Sequence, residues 1–70
     1  MQAVVYVGDK LRRLRDARAL TQEELAEKAG ITVAALSRIE RNSAEPRPTT
    51  RRKLAEALGV EPEELVKVGD

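Results

Sequence analysis

The 70-residue sequence predicts an all-α protein, a compact five-helix bundle with a possible short β-strand at its N-terminal edge. Two observations carry that expectation. Between residues 21 and 41 apolar side chains recur at helical spacing, in two short runs split by Gly30. The candidate boundaries carry residue types suited to helix ends: Thr21 and Thr32 at starts, Gly30, Asn42 and Gly59 at stops, Pro62 in a first turn. No internal repeat, linker or low-complexity segment interrupts the chain. Residues 8–70 therefore read as one domain, preceded by an extension, residues 1–7.

The first helix is expected over about residues 8–18, with Leu11 and Leu14 inward and Lys10, Arg12 and Arg13 outward. The second starts at Thr21, an N-cap whose hydroxyl can accept an early backbone N–H, and Glu24 three residues on completes a capping box. It ends before Gly30, which can take the positive φ of a tight exit where a Cβ would be strained. Thr32 caps the third helix, which extends to about Arg41, and Asn42 follows at the left-handed position where asparagine substitutes for glycine. Residues 42–48 form a loop, because Pro46 and Pro48 cannot both sit inside a helix. The fourth helix covers about residues 49–58 and is stopped by Gly59. A short fifth begins near Pro62, whose missing N–H costs nothing there, with Glu61, Glu63 and Glu64 at its positive end. The expected core is aliphatic: Leu11, Leu14, Leu20, Leu25, Ala29, Ile31, Leu36, Ile39, Leu54, Leu58, Val60 and Leu65.

Counting from Gln22, Ala26 is fifth and Gly30 ninth, with Leu25, Ala29, Ile31, Leu36 and Ile39 in the apolar places between. That spacing is a steric recipe for a helix-turn-helix. A small residue at position 26 lets the second of the two helices cross the first closely. The apolar set buries one face of both and leaves the other face of the second free to enter a major groove.

Composition narrows the function classes. With neither cysteine nor histidine, a disulfide scaffold and a Cys/His zinc site are excluded, and the lack of thiols fits a cytoplasmic protein. No apolar run approaches the roughly 20 residues of a membrane span, and residues 1–7 lack the basic start of a signal peptide. No metal, cofactor or membrane partner is expected. Nor is an enzyme, since the carboxylates fall on outer helical faces and form no acid, base or nucleophile constellation. The net charge of +1 hides an asymmetry: residues 1–53 carry a net +5 and residues 54–70 a net −4. A chain that sorts its charge this way presents its basic part to a polyanion.

These features resemble the phage repressor and Cro type of helix-turn-helix, the xenobiotic-response-element-like family. The likeness covers residues 8–66 and rests on Leu14-Arg15, on Leu20-Thr21-Gln22-Glu23-Glu24-Leu25-Ala26, on Ala29-Gly30-Ile31-Thr32, and on Leu36-Ser37-Arg38-Ile39-Glu40-Arg41. Pro46 and Leu54-Ala55-Glu56-Ala57-Leu58-Gly59-Val60 complete it. The resemblance implies a transcription regulator that binds double-stranded DNA, a homodimeric repressor on a palindromic operator, with the third helix in the major groove and the second above the phosphates. An antitoxin-like regulator whose main partner is a protein is the alternative, and the acidic end and residues 3–7 could serve it.

Base contacts are expected from Val33 and Ala34, whose methyls can pack on thymine methyl groups, from Ser37, and from Arg38, which can bond guanine bidentately. Phosphate contacts are expected from Gln22 at a helix start, from Thr32, and from Arg41, Ser43 and Arg47 around the loop, with Arg51 and Arg52 as further candidates. Arg15 and Glu40 each interrupt an apolar face. Family relatives commonly join this pair in a buried structural ion pair, since either charge alone would be costly inside.

Two departures from the family pattern stand out. Arg51 occupies a usually apolar, core-facing position, so either the fourth helix rotates or Arg51 snorkels outward. Asn42 replaces a common glycine and is expected to change little. The β-forming run of residues 3–7 is expected to pair with its copy in a second subunit as an antiparallel ribbon, the alternatives being an apolar strip on its own bundle or a frayed terminus.

Overall fold

The computed structural model describes residues 6–66. Four α-helices, α1 (Val7–Ala17), α2 (Gln22–Ala29), α3 (Val33–Glu40) and α4 (Pro48–Leu58), precede a single 3-10 turn, Pro62–Leu65. The expected fifth helix is thus corrected to one turn. Pro62 opens it as anticipated, but Leu65 is already in the core after four residues and Val66 is extended. Helices α1 and α4 each begin one residue earlier than expected. Pro48 takes the first position of α4, where its missing N–H is no loss.

The N-terminal strand is also corrected: among the described residues there is none. Tyr6 is the N-cap of α1 and Val7 its first residue, buried to 9% exposure against the bundle. Packing Val7 into the core overrides its β propensity. The rest of the β-forming run, residues 3–5, lies outside the described residues, and so does the ribbon expected of it.

The helix starts follow the sequence closely. Thr21 Oγ1 accepts the Glu24 N–H at 3.0 Å while Glu24 Oε1 accepts the Thr21 N–H at 2.8 Å. Thr32 Oγ1 accepts the Ala35 N–H at 3.0 Å. The helix ends share one device. Ala19, Gly30, Asn42 and Gly59 all take positive φ, between 54° and 72°. The N–H of the next residue then reaches back to a carbonyl of the last turn: Leu20 to Arg15, Ile31 to Ala26, Ser43 to Arg38 and Val60 to Ala55, at 2.9–3.1 Å. This satisfies carbonyls that a helix end leaves open. Ala19 lacked the usual residue signature and escaped sequence analysis.

Leu11, Leu25, Leu36, Leu54, Leu58 and Leu65 are fully buried, so all five elements contribute to one core. α2 lies against α3 and α4, and α1 closes over α3 and the 3-10 turn. Leu14, Leu20, Ile31 and Val60, expected inside, are half-buried at its margin, while Val7 and Ala55 join it.

Candidate nucleic-acid interface

Gly30, Ile31 and Thr32 link α2 to α3. Gly30 turns the chain at φ 71° and the Ile31 N–H bonds Ala26 O, so the turn is closed by backbone alone. Thr32 then opens α3 in an extended conformation, and its hydroxyl oxygen accepts the Ala35 N–H, which leaves the O–H to donate. Leu36, Ile39 and Glu40 face inward. At three- and four-residue spacing the opposite face presents Val33, Ala34, Ser37, Arg38 and Arg41. Val33 is 39% exposed, an apolar side chain left in water at the first turn. Ala34, Arg38 and Arg41 are exposed and Ser37 is half-buried.

Arg38, Arg41 and Arg47 make no side-chain hydrogen bond or ion pair with other described residues. Arg38 and Arg47 line one open groove of about 340 Å³ between α3 and the start of α4, with Ala35, Glu45 and Thr50. Ser43 is exposed, with its backbone N–H on Arg38 O. The structure therefore gathers the expected base-contacting set and the loop set on adjoining surface. Arg52 is exposed on α4, whereas Arg51 is half-buried along a groove walled by Val7, Pro46, Leu65 and Val66. Leu54, Ala55 and Leu58 hold the inward face of α4, so Arg51 snorkels along its flank.

Behind this surface stands the expected ion pair. Arg15 Nε lies 2.7 Å from Glu40 Oε2 and Arg15 Nη2 lies 3.0 Å from Oε1, a bidentate pair. The Glu40 side chain is 3% exposed and that of Arg15 15%. Arg15 Nη1 also donates to Leu20 O at 2.9 Å. Its hydrogen bonds to Glu40 raise the Arg15 pKa above its ordinary value, outweighing the opposite effect of burial.

Gln22 brings a relation that the sequence did not show. Its Nε2 donates to Glu40 Oε1 at 3.0 Å, joining the start of α2 and the end of α3 through one carboxylate. An amide nitrogen carries two hydrogens, so one remains for another acceptor at the positive end of α2. Asn42 also does more than expected. Its Oδ1 accepts the Gly8 N–H at 2.9 Å, a bond between residues 34 apart that no local pattern announces.

Fold and surface together define a helix-turn-helix domain whose α3 turns one face to solvent. The Helix-turn-helix family model matches residues 11–65, and the chain belongs to that family, in its phage repressor or Cro/C1-type form. That family consists of DNA-binding transcription regulators and is not enzymatic. The chain is similar to the HTH-type transcriptional repressor RghR of Bacillus subtilis (strain 168), 45% identical over 60 residues. The match takes in 84% of this chain but 44% of that repressor's length. Among solved structures, the restriction-modification controller protein C.AhdI from Aeromonas hydrophila superposes with a TM-score of 0.81 at 39% identity, over 84% of this chain and 89% of that one. The P22 c2 repressor, in complex with synthetic operator 9T, gives 0.84 at 27% identity over 89% and 94%. Among the described residues no helix is long and apolar enough to cross a membrane.

Proposed function

We propose that the chain binds double-stranded DNA sequence-specifically and regulates transcription, acting as a dimeric repressor on a palindromic operator. The observation that carries this is the outward face of α3. A buried opposite face fixes the helix in place, yet the side chains of Val33, Ala34 and Arg38 are left exposed, with Ser37 half-buried between them. Arg38 offers the fork that guanine O6 and N7 accept, and the Val33 and Ala34 methyls suit thymine C5-methyl groups. Gln22, Thr32, Arg41, Ser43 and Arg47 hold phosphates on either side and set the orientation. Two copies would meet half-sites about one helical turn apart, roughly 34 Å.

Selection of bound duplexes from random DNA tests this reading. The expected product is an inverted repeat with half-sites in that spacing. Binding to it should be steeply salt-dependent: a dimer that neutralises about 6–10 phosphates loses affinity by about 10³–10⁵ between about 50 and 200 mM salt. Recovery of no consensus, or a nearly flat salt titration, refutes the proposal.

A further inference from the structure

We propose that Asn42 is a positioning residue for DNA binding: by capping α1 from across the molecule, it fixes the arginine-bearing loop 41–47 against the DNA backbone. This rests on the reading of Arg41, Ser43 and Arg47 as phosphate contacts.

At the start of α1 the N-cap residue Tyr6 makes no side-chain capping hydrogen bond. Asn42 supplies one instead, through Oδ1 to the Gly8 N–H at 2.9 Å. Its Nδ2 lies 3.5 Å from Asp9 Oδ1, and that same oxygen accepts from Arg12 Nη2 at 2.8 Å. Arg12 Nη1 in turn reaches Glu40 O, at the end of α3, at 3.4 Å. Each helix end thus answers the open groups of the other: the end of α3 supplies an acceptor to the start of α1, and α1 returns a cation to the end of α3.

The approach here is so close that position 8 has to be glycine. A Cβ there would overlap Asn42 Oδ1 and the carbonyl oxygens of Ile39 and Glu40. Nothing in the turn itself calls for a side chain at position 42. Its φ is 60°, where glycine is less strained than asparagine. What asparagine adds is the bond to α1. It sits between Arg41 and Ser43, and the Ser43 N–H bonds Arg38 O at 2.9 Å. Reading helix and loop therefore share a backbone frame, and Asn42 ties that frame to α1.

Asn42→Gly keeps the left-handed turn and deletes only the tie. The test uses the full chain and a duplex carrying the best site from random-sequence selection, together with duplexes altered at each base pair. In Asn42→Gly the Gly8 amide should exchange faster with solvent in a protein that keeps its helical circular dichroism. Affinity should fall about tenfold, and the plot of log affinity against log salt should become shallower by about 0.9 for each phosphate that is no longer neutralised. Base preferences should stay as in the wild type. Arg47→Ala and Arg41→Ala serve as controls: if neither changes the salt slope, the phosphate reading of the loop fails on its own account. If they do and Asn42→Gly binds like wild type, the positioning role is refuted. It is equally refuted if Asn42→Gly fails to fold, or if base preferences collapse with affinity, because then the tie serves the fold or α3 itself.

Discussion

Glu40→Ala strands a guanidinium. In the intact protein the two Glu40 carboxylate oxygens accept three N–H bonds, from Arg15 Nε, Arg15 Nη2 and Gln22 Nε2, at 2.7, 3.0 and 3.0 Å. Truncation removes all three and leaves Arg15, itself only 15% exposed, with Leu20 O and the looser Asp16 at 3.6 Å. Removing one partner of a buried pair costs about 3–5 kcal/mol, because the remaining charge is uncompensated. A chain of this length holds roughly 3.5–10 kcal/mol in all, so the loss is a large share of its stability. In a domain this small each kcal/mol moves the melting temperature by about 4–8 °C. Urea unfolding followed by far-ultraviolet circular dichroism measures the loss directly. Replacing both partners, as in Arg15→Met with Glu40→Leu, should recover most of it, since no charge is then left unpaired. A Glu40→Ala loss below about 1 kcal/mol, or a double variant that loses the sum of the two singles, would refute the argument.

Arg38→Ala should weaken specific binding by about 1–3 kcal/mol and relax preference at one base pair per half-site; an equal loss on every sequence would make Arg38 a phosphate contact. Ala19→Gly should stabilise the fold by about 0.5–1 kcal/mol. It removes a left-handed penalty of about 1–2 kcal/mol and gives part of that back as added freedom in the unfolded chain. A lower melting temperature would contradict this reading. The Thr21 backbone N–H, and secondly its hydroxyl, hold the Glu24 carboxyl below the usual carboxylate range. A lowered folded-state pKa means that the capping contribution is complete above the unfolded value and is lost as pH falls through the folded one. The stability deficit of Glu24→Ala should therefore be full at neutral pH and narrow on acidification; a constant deficit would show that the charge plays no part.

Local signals were the ones that could be read in the sequence. Thr21 with Glu24, Thr32, Gly30 and Gly59 mark helix ends within four residues of themselves, and each does what its chemistry predicts. The apolar spacing placed Leu25, Leu36 and Ile39 inside and therefore Val33, Ala34 and Arg38 outside. What escaped depends on residues far apart in the chain. Asn42 and Gly8 meet only because α1 folds back over α3, and Gln22 finds Glu40 only when α2 and α3 are both in place. At Val7 the β propensity that suggests a strand over residues 3–7 yields to a place in the core, which is the stronger term. Arg51 left its two alternatives open in the sequence, and the inward leucines of α4 decided between them.

The backbone-closed turn at residues 30–32 separates two kinds of inheritance. Because Gly30 and the Ile31-to-Ala26 bond set how α3 leaves α2, positions 33, 34, 37 and 38 can change without altering the angle at which that helix is presented. A descendant of this chain could acquire a different vocabulary through a handful of substitutions at the surface, each nearly neutral for folding. The scaffold and the message it reads can evolve at different speeds.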